Sequence, residues 1–224
     1  MHHQPARIVL VTGASSGVGA AVAKGLASPD THVIVNYRKN ADRANAVADA
    51  IRHAGGHAST IASDLSNERD ARSMIETVAA RFGRLDALIL NASGGLQLGS
   101  GSGGAMRLNR DAQRYLARLA LPLMPAGSRI VFVTSHQAHF FPNKAVPKGF
   151  SAIAASERAG ETALYAMRSA FGSAGVHLTV VSGDMIDGTL TSASQFSDAI
   201  VDVTKTSDAR SIVFVGGAHH LAIA

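Results

Sequence analysis

Gly13, Gly17 and Gly19 lie in the stretch IVLVTGASSGVG, residues 8 to 19, with small residues around them. Such a loop turns backbone N–H groups and the start of a helix toward one point, an arrangement that binds a phosphate anion. Gly13 allows a tight turn, Gly17 lets a pyrophosphate approach the backbone, and Gly19 lets the next helix pack on a sheet. Ser15, Ser16 and Val18 complete the loop. The order G-x-x-x-G-x-G differs from the commoner G-x-G-x-x-G, and alone it would read as a turn. A strand before it and a helix after it favour the binding reading. A second chemical signal is Asn36-Tyr37-Arg38. Sites for NAD place a carboxylate near this point for the ribose 2′-hydroxyl, and sites for NADP place a cation or polar group for the 2′-phosphate. There is no acid at 36 to 38, and Arg38 carries a fork that matches phosphate. NADP(H) is therefore the expected cofactor, unless Arg38 and Lys39 merely close a solvated strand.

The elements that must position these groups alternate along the chain. Ile8 to Val11 is an apolar, β-branched run suited to a buried parallel strand, and the helix opened by Gly17 and Gly19 continues through Ala23 and Leu26. Residues 32 to 36 form a second strand, 41 to 54 a helix stopped by Gly55-Gly56, and 57 to 62 a third strand. Ser66 is expected to cap a helix that runs to Phe82. A fourth strand follows Gly83, then a low-complexity loop, GGLQLGSGSGG at 94 to 104. A helix over 105 to 121 leads to a fifth strand, RIVFVTS, a helix over 152 to 171 and a sixth strand at 177 to 181. A short helix at 195 to 204 and a last strand, SIVFVGG, complete the pattern.

TGASSGVG resembles the cofactor loop of the short-chain dehydrogenase/reductase family. The resemblance implies further roles. Asp64-Leu65 would contact adenine, although Asp64 would also suit a helix cap. Asn91-Ala92-Ser93 looks like the family's N-A-G signature, with Ser93 in place of glycine, and would flank the cofactor. Asn109 matches the helix asparagine that holds a proton-relay water, and a structural hydrogen-bonding role suits it equally. Thr134 and Ser135 match the end of the catalytic-serine strand, where the Ser135 hydroxyl would bond a substrate carbonyl oxygen. The stretch from Ser182 to Thr189 is similar to the P-G-x-x-x-T loop, making Thr189 a contact for the cofactor's carboxamide or pyrophosphate. Gly216-Gly217 match the usual ending.

The resemblance breaks at the proton. Family chemistry needs Tyr-x-x-x-Lys on the helix after the serine strand, and this chain has no such sequence. Alignment puts Ile153 at the tyrosine and Glu157 at the lysine, where a carboxylate would repel the cofactor phosphates. Phe150 has no hydroxyl, and Tyr165 lies three turns late. The segment HQAHFFPNKAVPKGF beside Ser135 offers replacement acids: His136, His139, Lys144 and Lys148. Few residues separate Thr189 from the helix near Gln195, which implies an open substrate pocket.

Composition sets the outer bounds. The chain has 224 residues, 46% hydrophobic and 17% charged, as expected of one globular dinucleotide-binding domain over 1–224. The net charge of +5 is scattered, with no basic patch interleaved with aromatics, so no nucleic-acid partner is expected. No apolar run approaches the ~20 residues that span a bilayer, and no signal-peptide pattern precedes the first strand, so no membrane partner is expected. The absence of cysteine excludes disulfides and cysteine-metal sites and fits a cytoplasmic protein, and no metal site is expected. The fold class expected is α/β: a doubly wound Rossmann fold with seven parallel strands in the order 3-2-1-4-5-6-7 and helices on both faces. Two functions follow. One is an NADP(H)-dependent oxidoreductase acting on a small-molecule carbonyl or alcohol, 3-oxoacyl reductase-like by resemblance. The other is a catalytically silent NADP(H)-binding protein, a sensor or partner subunit. The resemblance also implies a homodimer or homotetramer, built through the helices at 105 to 121 and 152 to 171.

Overall fold

The computed structural model describes residues 6–93, 102–147, 149–186, 189–190, 192–206 and 210–216. Most of the 94 to 104 loop, Lys148 and Gly217 therefore lie outside the described residues. The first half of the chain runs β1 (Arg7–Val11), α1 (Gly17–Gly25), β2 (Thr31–Tyr37), α2 (Ala41–His53), β3 (His57–Ala62), α3 (Glu68–Phe82) and β4 (Ala87–Leu90). Then come α4 (Ser102–Met106), a π-helical segment (Arg107–Ala112), α5 (Gln113–Ala120), a 3₁₀ turn (Leu121–Leu123) and β5 (Arg129–Ser135). The remainder is α6 (His136–His139), α7 (Ser151–Tyr165), α8 (Arg168–Ser173), β6 (His177–Gly183), β7 (Met185–Ile186), β8 (Thr189–Leu190), α9 (Ala193–Lys205) and β9 (Ile212–Val215).

Seven strands form one sheet in the order β3-β2-β1-β4-β5-β6-β9. Every neighbouring pair in it is parallel. This is the doubly wound Rossmann fold expected from the sequence. A parallel sheet buries both faces, which is why its strands read as continuous apolar runs. Alternate residues of β1 serve opposite layers. Ile8 and Leu10 pack with Met74, Ile75 and Val78 of α3, Leu116 and Ala120 of α5, and Leu164 of α7. Val9 and Val11 pack with Val22 of α1 and its C-cap Leu26, Val47 and Ile51 of α2, and Phe196 and Ile200 of α9. Each fully buried Leu, Ile or Val contributes about 1.5–3 kcal/mol relative to exposure.

Four local outcomes differ from the sequence expectation. The cap of α3 is Asn67, whose side chain accepts the Arg69 N–H, because Ser66 is already bound to Asp64. The helix expected over 105 to 121 starts at Ser102 and widens into the π segment across Asn109. The helix expected over 152 to 171 breaks between Tyr165 and Arg168 into α7 and α8. A small antiparallel pair, β7 with β8, follows β6 outside the main sheet. No helix among the described residues is long and apolar enough to cross a membrane.

Candidate functional site

The sheet order reverses between β1 and β4, and ligands of open α/β sheets bind at the carboxyl ends beside such a point. Thr12 fastens this junction. Its hydroxyl donates to the Ile89 carbonyl at 3.0 Å and accepts the N–H groups of Asn91 at 2.9 Å and Ala92 at 3.0 Å. Asn91 donates back to the Thr12 carbonyl at 3.0 Å. The glycine loop then folds against this knot. Gly13 has φ +62° and Gly17 φ +57°, the left-handed region that favours glycine. A Cβ on Gly19 would lie 2.5 Å from the Asn91 amide nitrogen and 2.7 Å from the Gly13 carbonyl oxygen. Ser16, the N-cap of α1, makes no side-chain capping bond, and the first turn has no acidic residue. The first N–H groups of α1 are thus left for an anion.

A cleft of about 1330 Å³ runs from this loop across the sheet ends. It is lined by Gly13, Ser15, Ser16, Gly17, Val18 and Gly19, then by Arg38, Lys39 and Asn40 after β2 and by Asp64 and Leu65 after β3. Asn36 also lines it, but is buried and works as a brace: its Oδ1 accepts the Gly13 N–H at 3.1 Å and its amide points at the carbonyls of Tyr37, Ile61 and Ser63. Tyr37 is not part of the lining. Asp64 accepts from the Ser66 hydroxyl at 2.6 Å and the Ser66 N–H at 3.0 Å. That hydroxyl, with Arg38 and Lys39 adding positive charge, holds the Asp64 carboxyl below its ordinary value. The carboxylate therefore closes a turn and faces the cleft, and it does not cap α3.

At the other end the cleft is lined by Asn91, Ala92 and Ser93, by Arg107 and Leu108 of the π segment, by Val133, Thr134 and Ser135 of β5, by Glu157 of α7 and by Phe196 of α9. Ser135 caps α6, its Oγ accepting the Ala138 N–H at 3.2 Å. Thr134 Oγ1 is buried and reaches toward Glu157 without a hydrogen bond of regular geometry. Glu157 itself is half-buried in the wall. Burial pushes its carboxyl up to about 7, partly offset by the Thr134 and Ser135 hydroxyls. Asn109 is buried behind this wall and donates to Ser156 Oγ at 2.9 Å. The backbone of α7 presses on the π segment here, since a Cβ on Gly160 would fall 2.0 Å from the Asn109 carbonyl oxygen.

The basic residues expected near Ser135 go elsewhere. His136 is buried with Nδ1 2.7 Å from Ser182 Oγ, and its ring meets Phe214 edge-on. His139 Nδ1 lies 2.8 Å from Glu161, a buried carboxylate also held by Arg158 at 3.0 Å. Lys144 sits over the Phe140 ring. None of the three lines the cleft. Tyr165 does not line it either, and burial together with Glu161 pushes its phenol up to about 12. Lys148 lies outside the described residues, as does the side chain of Thr189, whose backbone pairs with Ile186. Residues 187, 188 and 191 are outside them too. Sequence reasoning missed Thr12, Asn40, Arg107 and Phe196. Thr12 was signalled by its place between strand and loop, whereas nothing local marks Phe196 as a cleft residue.

Comparison with known proteins agrees with this geometry. A family profile described as short chain dehydrogenase matches residues 7–199. An uncharacterized oxidoreductase of Methylorubrum extorquens is 44% identical over 38% of this chain and 35% of its own length. The 1-cyclohexenylcarbonyl-CoA reductase of Streptomyces collinus is 31% identical over 81% of this chain and 65% of its own. The chain thus spans less than two thirds of these relatives. A solved short chain dehydrogenase from Burkholderia cenocepacia, in complex with NADP, superposes with a TM-score of 0.80 over 96% of this chain and 98% of that one, at 25% identity. Matched from β1 into α9, the chain belongs to the short-chain dehydrogenase family.

Proposed function

We propose that this chain binds NADP(H) and exchanges a hydride between it and a small-molecule carbonyl or alcohol. The observation that carries the reading is one continuous cleft with an anion-ready helix start and Arg38-Lys39 at one end and Ser135 at the other. The residues fit the cofactor: the space beside Gly17, where a Cβ would meet no neighbour, is open, and no acidic residue opens α1. Gly13 to Gly19 hold the pyrophosphate, Arg38 and Lys39 the 2′-phosphate, Asp64 and Leu65 the adenine, and Asn91 to Ser93 with Thr134 flank the nicotinamide side. When bound, the cofactor supplies or removes the hydride. Ser135 positions the substrate oxygen. A ketone or 3-oxoacyl thioester is the substrate class, and the acyl-CoA in the name of the Streptomyces collinus reductase supports only the thioester part. A dimer or tetramer built through α5 and α7 belongs to the same reading.

The test is a fluorescence titration with NADPH and NADH, followed by NADPH oxidation across a carbonyl panel. NADPH is expected to bind more tightly, and Arg38→Ala to erase about 1.5–3 kcal/mol of that preference. Equal affinity for the two nucleotides would remove the 2′-phosphate assignment. A specific observation favours a second reading: Ile153 stands where the family has its tyrosine, so NADPH binding without turnover would mark a silent nucleotide-binding protein.

A further inference from the structure

We propose that Glu157 supplies the proton of the carbonyl reaction, passing it to the substrate oxygen through the Ser135 hydroxyl. The assignment rests on the oxidoreductase reading above and names the proton source that reading lacks. Among the described residues lining the cleft, the acidic and basic side chains are Arg38, Lys39, Asp64, Arg107 and Glu157. The first three sit at the ends of β2 and β3, remote from Ser135 along the sheet. Arg107 does not release its proton in proteins. Glu157 alone of these is beside the β5 hydroxyls.

Ser135 has the valence for a relay. A hydroxyl offers one donor and two acceptor positions, and the Ala138 N–H at 3.2 Å fills one acceptor position. The other is available to the Glu157 O–H, leaving the serine proton for the substrate. As the carbonyl carbon gains its hydride, the C=O π pair moves to oxygen and oxygen takes the Ser135 proton. Ser135 takes the Glu157 proton, and the resulting carboxylate recovers one from water in the cleft. Oxidation runs the same transfers in reverse. The surroundings keep both forms of Glu157 accessible near neutral pH, since burial raises its proton affinity and the Thr134 and Ser135 hydroxyls oppose that. Nearby charges are otherwise engaged. On α7, Arg158 pairs with Glu161. From α6, His139 holds the same Glu161 and His136 turns to Ser182. The π segment contributes Arg107, and α9 presents Phe196 and Ala193.

The experiment uses the full chain with NADPH and a panel of an aromatic aldehyde, a cyclic ketone and a 3-oxoacyl thioester. Glu157→Gln is expected to bind NADPH as the parent does and to lose about 10²–10⁴-fold in kcat. The parent pH profile should show a limb near 7 that this variant lacks. Glu157→Ala should regain rate with added formate, which a merely structural role would not produce. Alongside the rates, carboxyl ¹³C NMR should show one glutamate titrating near 7 in the parent and missing in Glu157→Gln. A Glu157→Gln rate within about threefold of the parent, no formate rescue, or no glutamate titrating near neutrality would each overturn the assignment. If the parent binds NADPH but reduces nothing on the panel, the oxidoreductase reading falls, and this assignment falls with it.

Discussion

At the β1–β2 end of the cleft, the groups offered to a ligand are mostly backbone: the first N–H groups of α1, shaped by Gly13, Gly17 and Gly19 and pinned by Thr12 and Asn36. At the β5–α7 end they are side chains: Ser135, Thr134 and Glu157 around one point, with Asn109 and Ser156 bonded behind them. Backbone groups survive many substitutions, while a side-chain site changes chemistry with one. The two ends therefore differ in how far they can depart from family pattern. The proposed nucleotide end has Gly13, Gly17 and Gly19, and the proposed reaction end has Ile153 and Glu157 on α7.

The contrast is tested most severely at Gly160, where the reaction end is also fixed by a backbone-to-backbone contact. Gly160→Ala must push α7 away from the Asn109 carbonyl, and a destabilisation at the top of the usual overpacking range, about 3 kcal/mol, is expected in urea unfolding. A loss under about 0.5 kcal/mol would show that α7 can slide and that the reaction end has no rigid point. Gly19→Ala is the counterpart at the nucleotide end. Its nearest obstacles are a side-chain amide that can move and one carbonyl oxygen, so about 1–2 kcal/mol of stability is expected to go, along with most NADPH affinity. Unchanged affinity would mean the nucleotide does not lie over this loop.

The smallest effects come from titration, and His32, at the start of β2 and outside the cleft lining, should respond with opposite sign to Glu157. His32 on β2 is held neutral, its pKa lowered from 6.5 to about 4 by burial and by the charges of Arg81, His57 and Arg52. The unfolded chain then binds more protons, so this contribution is complete above pH 6.5 and is lost as pH falls toward 4. Glu157 has a folded pKa raised from 4.5 to about 7, so its contribution is complete below 4.5 and fades as pH rises to 7. Thermal melts from pH 4 to 8 should show His32→Gln removing the acid-side loss and Glu157→Gln removing the loss on raising pH. If either variant steepened the slope it should flatten, that residue's assignment would be wrong.

Legibility in the sequence followed the same division. The strands could be read because residues such as Val9 to Val11 are apolar on both faces, which a sheet with helices on each side demands. The loop at 13 to 19 could be read because positive φ and close approach both select glycine. The cap of α3 was misassigned by one residue, since Asp64 competes for Ser66 and leaves Asn67 to the helix. The π segment was invisible, because nothing within residues 107 to 112 announces the glycine of α7 that presses on it. His136 went elsewhere because it is the first residue of α6, after its cap Ser135, where its ring turns to Ser182 of β6. Glu157 was expected to act as a fixed negative charge, yet burial makes it willing to be neutral.

The junction of β1 with β4 has a kinetic meaning as well. Asp86 accepts the Ile8 N–H at 2.8 Å across 78 residues of chain, and Thr12 reaches Ile89 across 77. Two complete strand–helix units must be threaded before these bonds can close, so this seam belongs to the slow, non-local steps of folding. The nucleotide cleft exists only after it closes. A bound nucleotide at a hundredfold its dissociation constant would add about 2.7 kcal/mol to the finished protein. That gain should appear as slower unfolding, with the early folding phases running at the same speed whether nucleotide is present or not.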